Sequence, residues 1–243
     1  KGPGPFPGIV FIHGGGWRNG SSEQFEPQAL RVAANGYVAI SVEYRLSGEA
    51  GFPAAVEDCK CGVRWLRANA EKYKVDPDKI AVSGGSAGGH LSLLLGTSGG
   101  ITLLEGSGGN SKFSSDVQLV IAFNPVSEFP VGTTGAESPV KNFLGGTEQE
   151  TPHNYRAATP GTWLDRNDPP MLLLHGTGDS TVPYQQSVNF VNAMKKMGIE
   201  GKLYTGEDAG HGFFNREPWF TPTFDELMKF LDAHFNQQSP NQK

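Results

Sequence analysis

Four short segments of the 243-residue chain carry residue types suited to nucleophilic chemistry. Gly84-Gly85-Ser86-Ala87-Gly88 is a G-x-S-x-G match lying between a β-rich run, Ile80-Ala81-Val82, and an apolar helix-like run, Leu91 to Leu95. A serine on a sharp strand-to-helix turn is lifted toward a substrate, and small residues two before and two after it prevent clashes with strand and helix. Gly-rich turns of this kind also bind phosphates, yet neither G-x-x-x-x-G-K-[ST] nor G-x-G-x-x-G is satisfied here. His13-Gly14-Gly15-Gly16-Trp17 follows an earlier strand-like run, Ile9 to Ile12. Successive glycines there can aim backbone N–H groups at a carbonyl oxygen, completed by the N–H of Ala87, the residue after the serine. By itself the segment reads equally well as a Gly-rich turn.

A serine nucleophile needs a base, and the base needs an acid to fix its tautomer. Asp179 follows the run Met171 to Leu174 in His175-Gly176-Thr177-Gly178-Asp179, and His211 follows Lys202 to Tyr204 in Gly210-His211-Gly212. Both therefore fall at strand ends, in the chain order serine, acid, histidine. Asp208 competes as the acid but shares its loop with His211; Asp165 and Asp168 fall in a different segment. Among the other histidines, His13 is expected to hold the glycine loop. His90 shares a helix face with Ser86 but does not reach over the turn, His175 is structural, and His153 and His234 lack a glycine-framed loop.

These segments require a scaffold that brings strand ends together. Continuous apolar strands alternate with helix-like segments along the chain, and Val117 to Phe123 and Tyr37 to Val42 complete the strand series. That pattern predicts an α/β protein with a mostly parallel sheet covered on both faces, formed by one domain over residues 1–243. Val56, Cys59, Val63, Leu66 and Ala70 make one helical stripe. Phe190, Val191, Met194 and Met197 make a second, stopped at Gly198. Phe224, Leu227, Met228, Leu231 and Phe235 make the last, opened by Thr221-Pro222 or by a capping box of Thr223 and Glu226. Two stretches break the rhythm. Thr97 to Asp116 is Gly/Ser-rich and reads as a surface loop without chemistry. Pro125 to Pro169 reads as a lid-like insertion whose Phe129, Phe143, Tyr155 and Trp163 either stack on a substrate ring or pack the insertion onto the sheet, with the two readings equally open for any one of them.

Composition narrows the partners. Twenty basic and 25 acidic residues give a net charge of −5, and no Lys/Arg run exceeds two, which argues against nucleic acid. No apolar run approaches the ~18 residues of a membrane span. Cys59 and Cys61, two apart on a helix, face different ways and are too few for a zinc site; no His-Glu-x-x-His or calcium-loop pattern occurs, so no metal and no cofactor is expected. Asn19-Gly20-Ser21 matches a glycosylation acceptor or a plain turn. The chain starts at Lys1 with no signal peptide, leaving secretion of a longer precursor open.

Several segments together resemble the α/β-hydrolase esterases with an HGGGW loop. They are His13 to Trp17, Tyr44-Arg45-Leu46, Pro53 to Ala70 with Asp58, Gly84 to His90, Asp168 through Asp179, and Gly210 to Phe213. The chain looks most like the bifunctional feruloyl and acetyl-xylan esterases, relatives of hormone-sensitive lipase. That resemblance implies Ser86 as nucleophile, Asp179 as acid, His211 as base, and Gly15, Gly16 and Ala87 as oxyanion donors. It implies a small-molecule or polysaccharide ester as substrate, with Trp17 beside the aromatic residues of the insertion as a further contact. Relative to the family the chain begins at the third strand, so the leading antiparallel strands are expected to be absent. An arylformamidase-like amidase and a non-catalytic binding protein on the same fold are the competing readings.

Overall fold

The computed structural model describes residues 2–129 and 138–236. Six strands form one sheet: β1 (Phe6–Ile12), β2 (Val38–Val42), β3 (Val75–Gly85), β4 (Leu119–Phe123), β5 (Met171–Gly176) and β6 (Gly201–Gly206). Their order is β2-β1-β3-β4-β5-β6, and every neighbouring pair is parallel. A parallel sheet needs crossover connections, and the helices that supply them cover both faces.

The uninterrupted apolar character of the strands follows from that double covering. Val10, Ile12, Val82, Val120, Ala122, Met171 and Leu173 point to one face. There they meet Val56, Cys59, Val63 and Leu66 of α2 (Ala54–Ala68), which the single turn α3 (Ala70–Tyr73) follows, the leucines of α4 (Ala87–Thr97), and Phe190, Val191 and Met194 of α7 (Gln185–Lys196). Ile9, Phe11, Ala81, Ile121, Phe123, Leu172 and Leu174 alternate with them onto the opposite face. They meet Val32 of α1 (Glu26–Ala34) and Phe224, Leu227, Phe230, Leu231 and Phe235 of α8 (Phe220–Phe235). The period of two in the strands thus sorts one hydrophobic run into two cores. Cys59 is a buried free thiol on the α2 stripe. Among the described residues no helix is long and apolar enough to cross a membrane.

Helix ends agree with the sequence in one case and depart from it in another. At the end of α7 the N–H groups of Gly198 and Ile199 bond to the carbonyls of Lys195 and Met194, with Gly198 at φ 78°, which is a Schellman stop. At the start of α8 the expected caps are not used. The helix begins at Phe220, and the Thr223 hydroxyl donates back to the Trp219 carbonyl at 2.8 Å, so it caps no N–H.

The insertion is packed rather than free. Its α5 (Pro139–Leu144) and α6 (Pro152–Ala158) place Phe143, Leu144, Tyr155 and Ala158 in the same core as α2 and α4; residues 130–137 of it lie outside the described residues. The Gly/Ser-rich stretch is also anchored, against expectation. Leu104 is buried, and Glu105 accepts from Lys60 Nζ at 2.7 Å and from Arg64 Nη1 at 2.9 Å. Lys60 is 1% exposed and also donates to the Ser98 carbonyl at 2.7 Å. An amphipathic helix position thus carries a buried ammonium, made tolerable by a carboxylate delivered from the loop.

Burial opposes ionisation of Glu105, but the hydrogen bonds and charges of Lys60 and Arg64 and the Ser115 hydroxyl outweigh it and hold the carboxyl below its ordinary range. A depressed carboxyl stabilises the fold above its unfolded pKa of ~4.3 and loses that contribution as pH falls below it. Glu105→Gln should therefore lower stability at pH 7 by roughly 3 kcal/mol, the lower end for a buried pair that loses one partner. Thermal melts at a series of pH values should show the gap between wild type and variant closing below pH ~4; an equal gap at pH 3 would refute this role.

Candidate active site

Strand β3 runs into α4 through Ser86, whose backbone sits at φ 57°, ψ −118°. That region is costly for a residue with a Cβ, and the turn is tenable because the residues two before and two after it, Gly84 and Gly88, carry none. A Cβ on Gly84 would lie 2.5 Å from the Gly88 carbonyl oxygen, and one on Gly88 would run into the Ile12 and His13 carbonyls. The same closeness sets the end of β1, and with it the glycine loop, directly against the turn.

The loops after β5 and β6 bring the other two groups in. His211 Nε2 lies 3.0 Å from Ser86 Oγ, and His211 Nδ1 lies 2.8 Å from Asp179 Oδ2. Asp179 Oδ1 accepts from the N–H groups of Thr181 and Val182 at 2.8 and 2.9 Å. Burial of the Asp179 carboxyl would by itself raise its pKa. Hydrogen bonds from His175, His211 and the Val182 N–H, with the charge of His211, overcome it and hold the group well below the carboxylate range. An ionised Asp179 fixes the proton of His211 on Nδ1 and leaves Nε2 free to accept from Ser86. Asp208 is not part of this hydrogen-bonded series. Its backbone N–H bonds to Thr177 Oγ1, and it stands in left-handed conformation at φ 55° on the His211 loop.

The glycine loop is held from several sides. The His13 ring stacks on Tyr44 at 4.1 Å and donates from Nδ1 to the Gly14 carbonyl at 2.8 Å, while Tyr44 Oη donates to the His13 carbonyl at 3.1 Å. The Gly14 N–H is consumed by Gln24 Oε1 at 2.5 Å. Gly15 and Gly16 have φ of 107° and 61°. No acceptor among the described residues pairs their N–H groups or that of Ala87. Three donors thus remain unpaired on the two segments that meet at Ser86.

The aromatic residues expected at the substrate divide. Trp17 is 3% exposed and stacks on Phe143, itself 1% exposed, at 4.7 Å; its indole N–H donates to His90 Nδ1 at 3.2 Å. Both rings are therefore core, and the expectation that they contact substrate is corrected: large aromatic side chains near a site are spent on fastening the insertion to the glycine loop. Burial pushes the His90 imidazole down to about 4 against the opposing bond from its Nε2–H to the Ala158 carbonyl at 2.7 Å, so it is a neutral internal strut. Trp163 is corrected too. It lines a cleft of about 660 Å³ with Asp116, Gln118, Asp168 and Pro170, at the ends where β4 and β5 begin, whereas Ser86 lies where β3 ends. Phe129 is half-buried, packed edge-on to His90 at 5.3 Å. Gln24 and Asn124, whose Nδ2 lies 3.3 Å from His211 Nδ1, join the site without having been marked by any motif, and His175, read as structural from the sequence, is bonded to Asp179 Oδ2 at 3.1 Å. Among the described residues no three His, Cys, Asp or Glu side chains are grouped to hold a metal ion.

A parallel sheet with a serine on the β3–α4 turn and acid and histidine after later strands defines an α/β-hydrolase. The BD-FAE family model matches residues 1–194, and the chain belongs to that family. It is 32% identical over 221 residues to esterase LipC of Mycobacterium tuberculosis, covering 86% of this chain and 53% of that protein. The chain spans about half the length of the curated relatives it matches. The propionate-bound esterase Est2 of Thermogutta terrifontis superposes with a TM-score of 0.82 at 34% identity, covering 96% of this chain and 85% of that one. A truncated carbohydrate esterase from gut microbiota gives 0.82 at 28% identity, covering 93% and 86%.

The hydrogen bonds rank the two carboxylates near His211. Asp179→Asn should lower kcat by ~10³–10⁴-fold, because an amide in place of the carboxylate favours the wrong imidazole tautomer. Asp208→Asn should change kcat less than about threefold, as expected for a group outside the hydrogen-bonded series. Steady-state kinetics on p-nitrophenyl acetate would expose the reverse ranking.

Proposed function

We propose that the protein is a serine carboxylester hydrolase that cleaves short-acyl or feruloyl esters of plant polysaccharide. The observation that carries the hydrolase reading is the unbroken hydrogen-bonded series Ser86 Oγ, His211 Nε2, His211 Nδ1, Asp179 Oδ2, on a turn adjoined by segments whose Gly15, Gly16 and Ala87 N–H groups have no partner among the described residues. Ser86 Oγ attacks the ester carbonyl carbon while His211 Nε2 takes its proton. The carbonyl oxygen becomes an oxyanion held by the three N–H groups. Collapse breaks the ester C–O bond, and His211 returns the proton to the leaving alkoxide, leaving Ser86 acylated. Water, deprotonated by His211, attacks the acyl carbon and releases the acid and the free serine.

The ester substrate is supported by the esterases among its relatives, and the carbohydrate portion by the likeness to a carbohydrate esterase. A short acyl group accords with the filling of space around the site: the rings of Trp17, Phe143 and Tyr155, which could have lined a long acyl channel, are buried in the core, the first two stacked on each other and Tyr155 edge-on to Phe129.

Ser86→Ala should keep the fold and lose nearly all turnover, since removing one member disables the unit as a whole. A fluorophosphonate should label wild type with one equivalent and leave Ser86→Ala unlabelled. Comparison of kcat/KM on p-nitrophenyl acetate, p-nitrophenyl palmitate, methyl ferulate and acetylated xylan tests the substrate. Acetate or ferulate release is expected; preference for palmitate, or inert xylan and ferulate, would defeat the polysaccharide reading while leaving the serine hydrolase in place.

A further inference from the structure

Asp179 receives two imidazoles, and the mechanism above uses one. His175, the last residue but one of β5, is fully buried, with Nε2 3.1 Å from Asp179 Oδ2 and 3.0 Å from the Val182 carbonyl. Both of those atoms are acceptors, so Nε2 must carry the proton. Its Nδ1, 2.7 Å from Ser187 Oγ on α7, then accepts from that hydroxyl. Every polar atom of the ring is thereby assigned, and the tautomer is fixed by partners on α7 and on the loop between β5 and α7. Oδ2 is the same carboxylate oxygen that accepts from His211.

We propose that His175 is a positioning residue for the reaction: it clamps the Asp179 carboxylate to the end of β5 and shares the charge of the oxygen that serves His211. The inference rests on the serine hydrolase reading and assigns a task to a histidine that sequence order alone marks as structural. Its logic is positional. Asp179 lies on a loop after β5, whereas His175 lies within the strand, paired in register with Thr205 of β6. A donor rooted in the sheet therefore fixes a carboxylate that its own loop reaches only through the Thr181 and Val182 N–H groups. A donor on the carboxylate also shares its charge and so weakens its pull on a protonated His211. Among the described residues His175 and His211 are the titratable groups hydrogen-bonded to Asp179; Tyr184 packs edge-on to His175 with its hydroxyl bonded to Thr205.

The test is kcat, KM and the pH profile of kcat/KM on p-nitrophenyl acetate for wild type, His175→Phe, His175→Gln and Ser187→Ala. Thermal melts and fluorophosphonate titration count the folded, reactive sites in each. His175→Phe should lower kcat per reactive site by ~10-fold or more with KM little changed, and should move the acid limb upward by ~0.5 pH unit or more. The sign follows from losing the donor, since a less shared carboxylate binds protonated His211 more tightly. His175→Gln, which restores an N–H donor and a carbonyl acceptor, should recover most of kcat and the limb. Ser187→Ala, which frees the ring but keeps it, should show the same change in smaller degree and keeps the test decisive if His175→Phe does not fold. An unmoved acid limb in His175→Phe, or in Ser187→Ala where the former is unfolded, would reduce His175 to packing. Wild type that neither hydrolyses the ester nor takes up fluorophosphonate would instead overturn the hydrolase reading on which the inference stands.

Discussion

The backbone of Ser86 is the constraint from which the rest of the site follows. A non-glycine residue at φ 57°, ψ −118° costs on the order of 1–3 kcal/mol and persists only where its surroundings leave no alternative. Those surroundings are a strand in the middle of the sheet, a helix whose eleven residues are all buried, and a carbonyl from β1 lying where a Cβ of Gly88 would be. Relaxing the turn would require pulling α4 off two strands. The strain is therefore stored by the core, and it exposes Oγ at the edge where β1, β3, β5 and β6 all end.

That dependence explains why so much was legible in the sequence. The Gly-x-Ser-x-Gly and His-Gly-Gly-Gly-Trp segments are local: glycines are demanded by contacts of a few ångströms between segments whose types the chain displays. Asp179 and His211 could be placed because strand ends are visible in apolar runs and a parallel sheet gathers those ends on one edge. The alternation of the two cores was likewise written in the strands. The parts that were not legible depend on side-chain direction across long separations. Gln24 bonds the Gly14 N–H, and Asn124 approaches His211 from 87 residues away; neither position has a type or spacing that announces it.

The aromatic residues show the same limit from the other side. A tryptophan or phenylalanine near a site has a large area to bury, and the sequence does not say whether a ligand or the protein buries it. Trp17 and Phe143 are stacked on each other with His90 edge-on to both, so the insertion is fastened to the glycine loop by rings that leave no face open. Trp163 follows the insertion to the far edge of the sheet. The Gly/Ser-rich stretch deceived in the opposite sense. Its glycines let the chain turn back over α2, and Glu105 at the turn answers two buried cations, Lys60 and Arg64, that a helical wheel would have placed in water.

The order of elements also sets the electrostatics of the edge. Helix α4 starts at Ala87, so the unpaired N–H groups of its first turn and the positive end of its dipole stand beside Ser86 Oγ. Asp179, the one ionised group in the hydrogen-bonded series, is placed at the other end, beyond the imidazole. A negative charge developing near Ala87 is thus met by fixed dipoles, and a positive charge developing on His211 by a fixed carboxylate. Both are set by where strands end and helices begin, so no side chain has to reorganise when the charges form. The division holds because Asp179 is kept ionised by its donors despite burial; with that carboxylate protonated, the dipoles at the serine would face an imidazole with no partner for its charge.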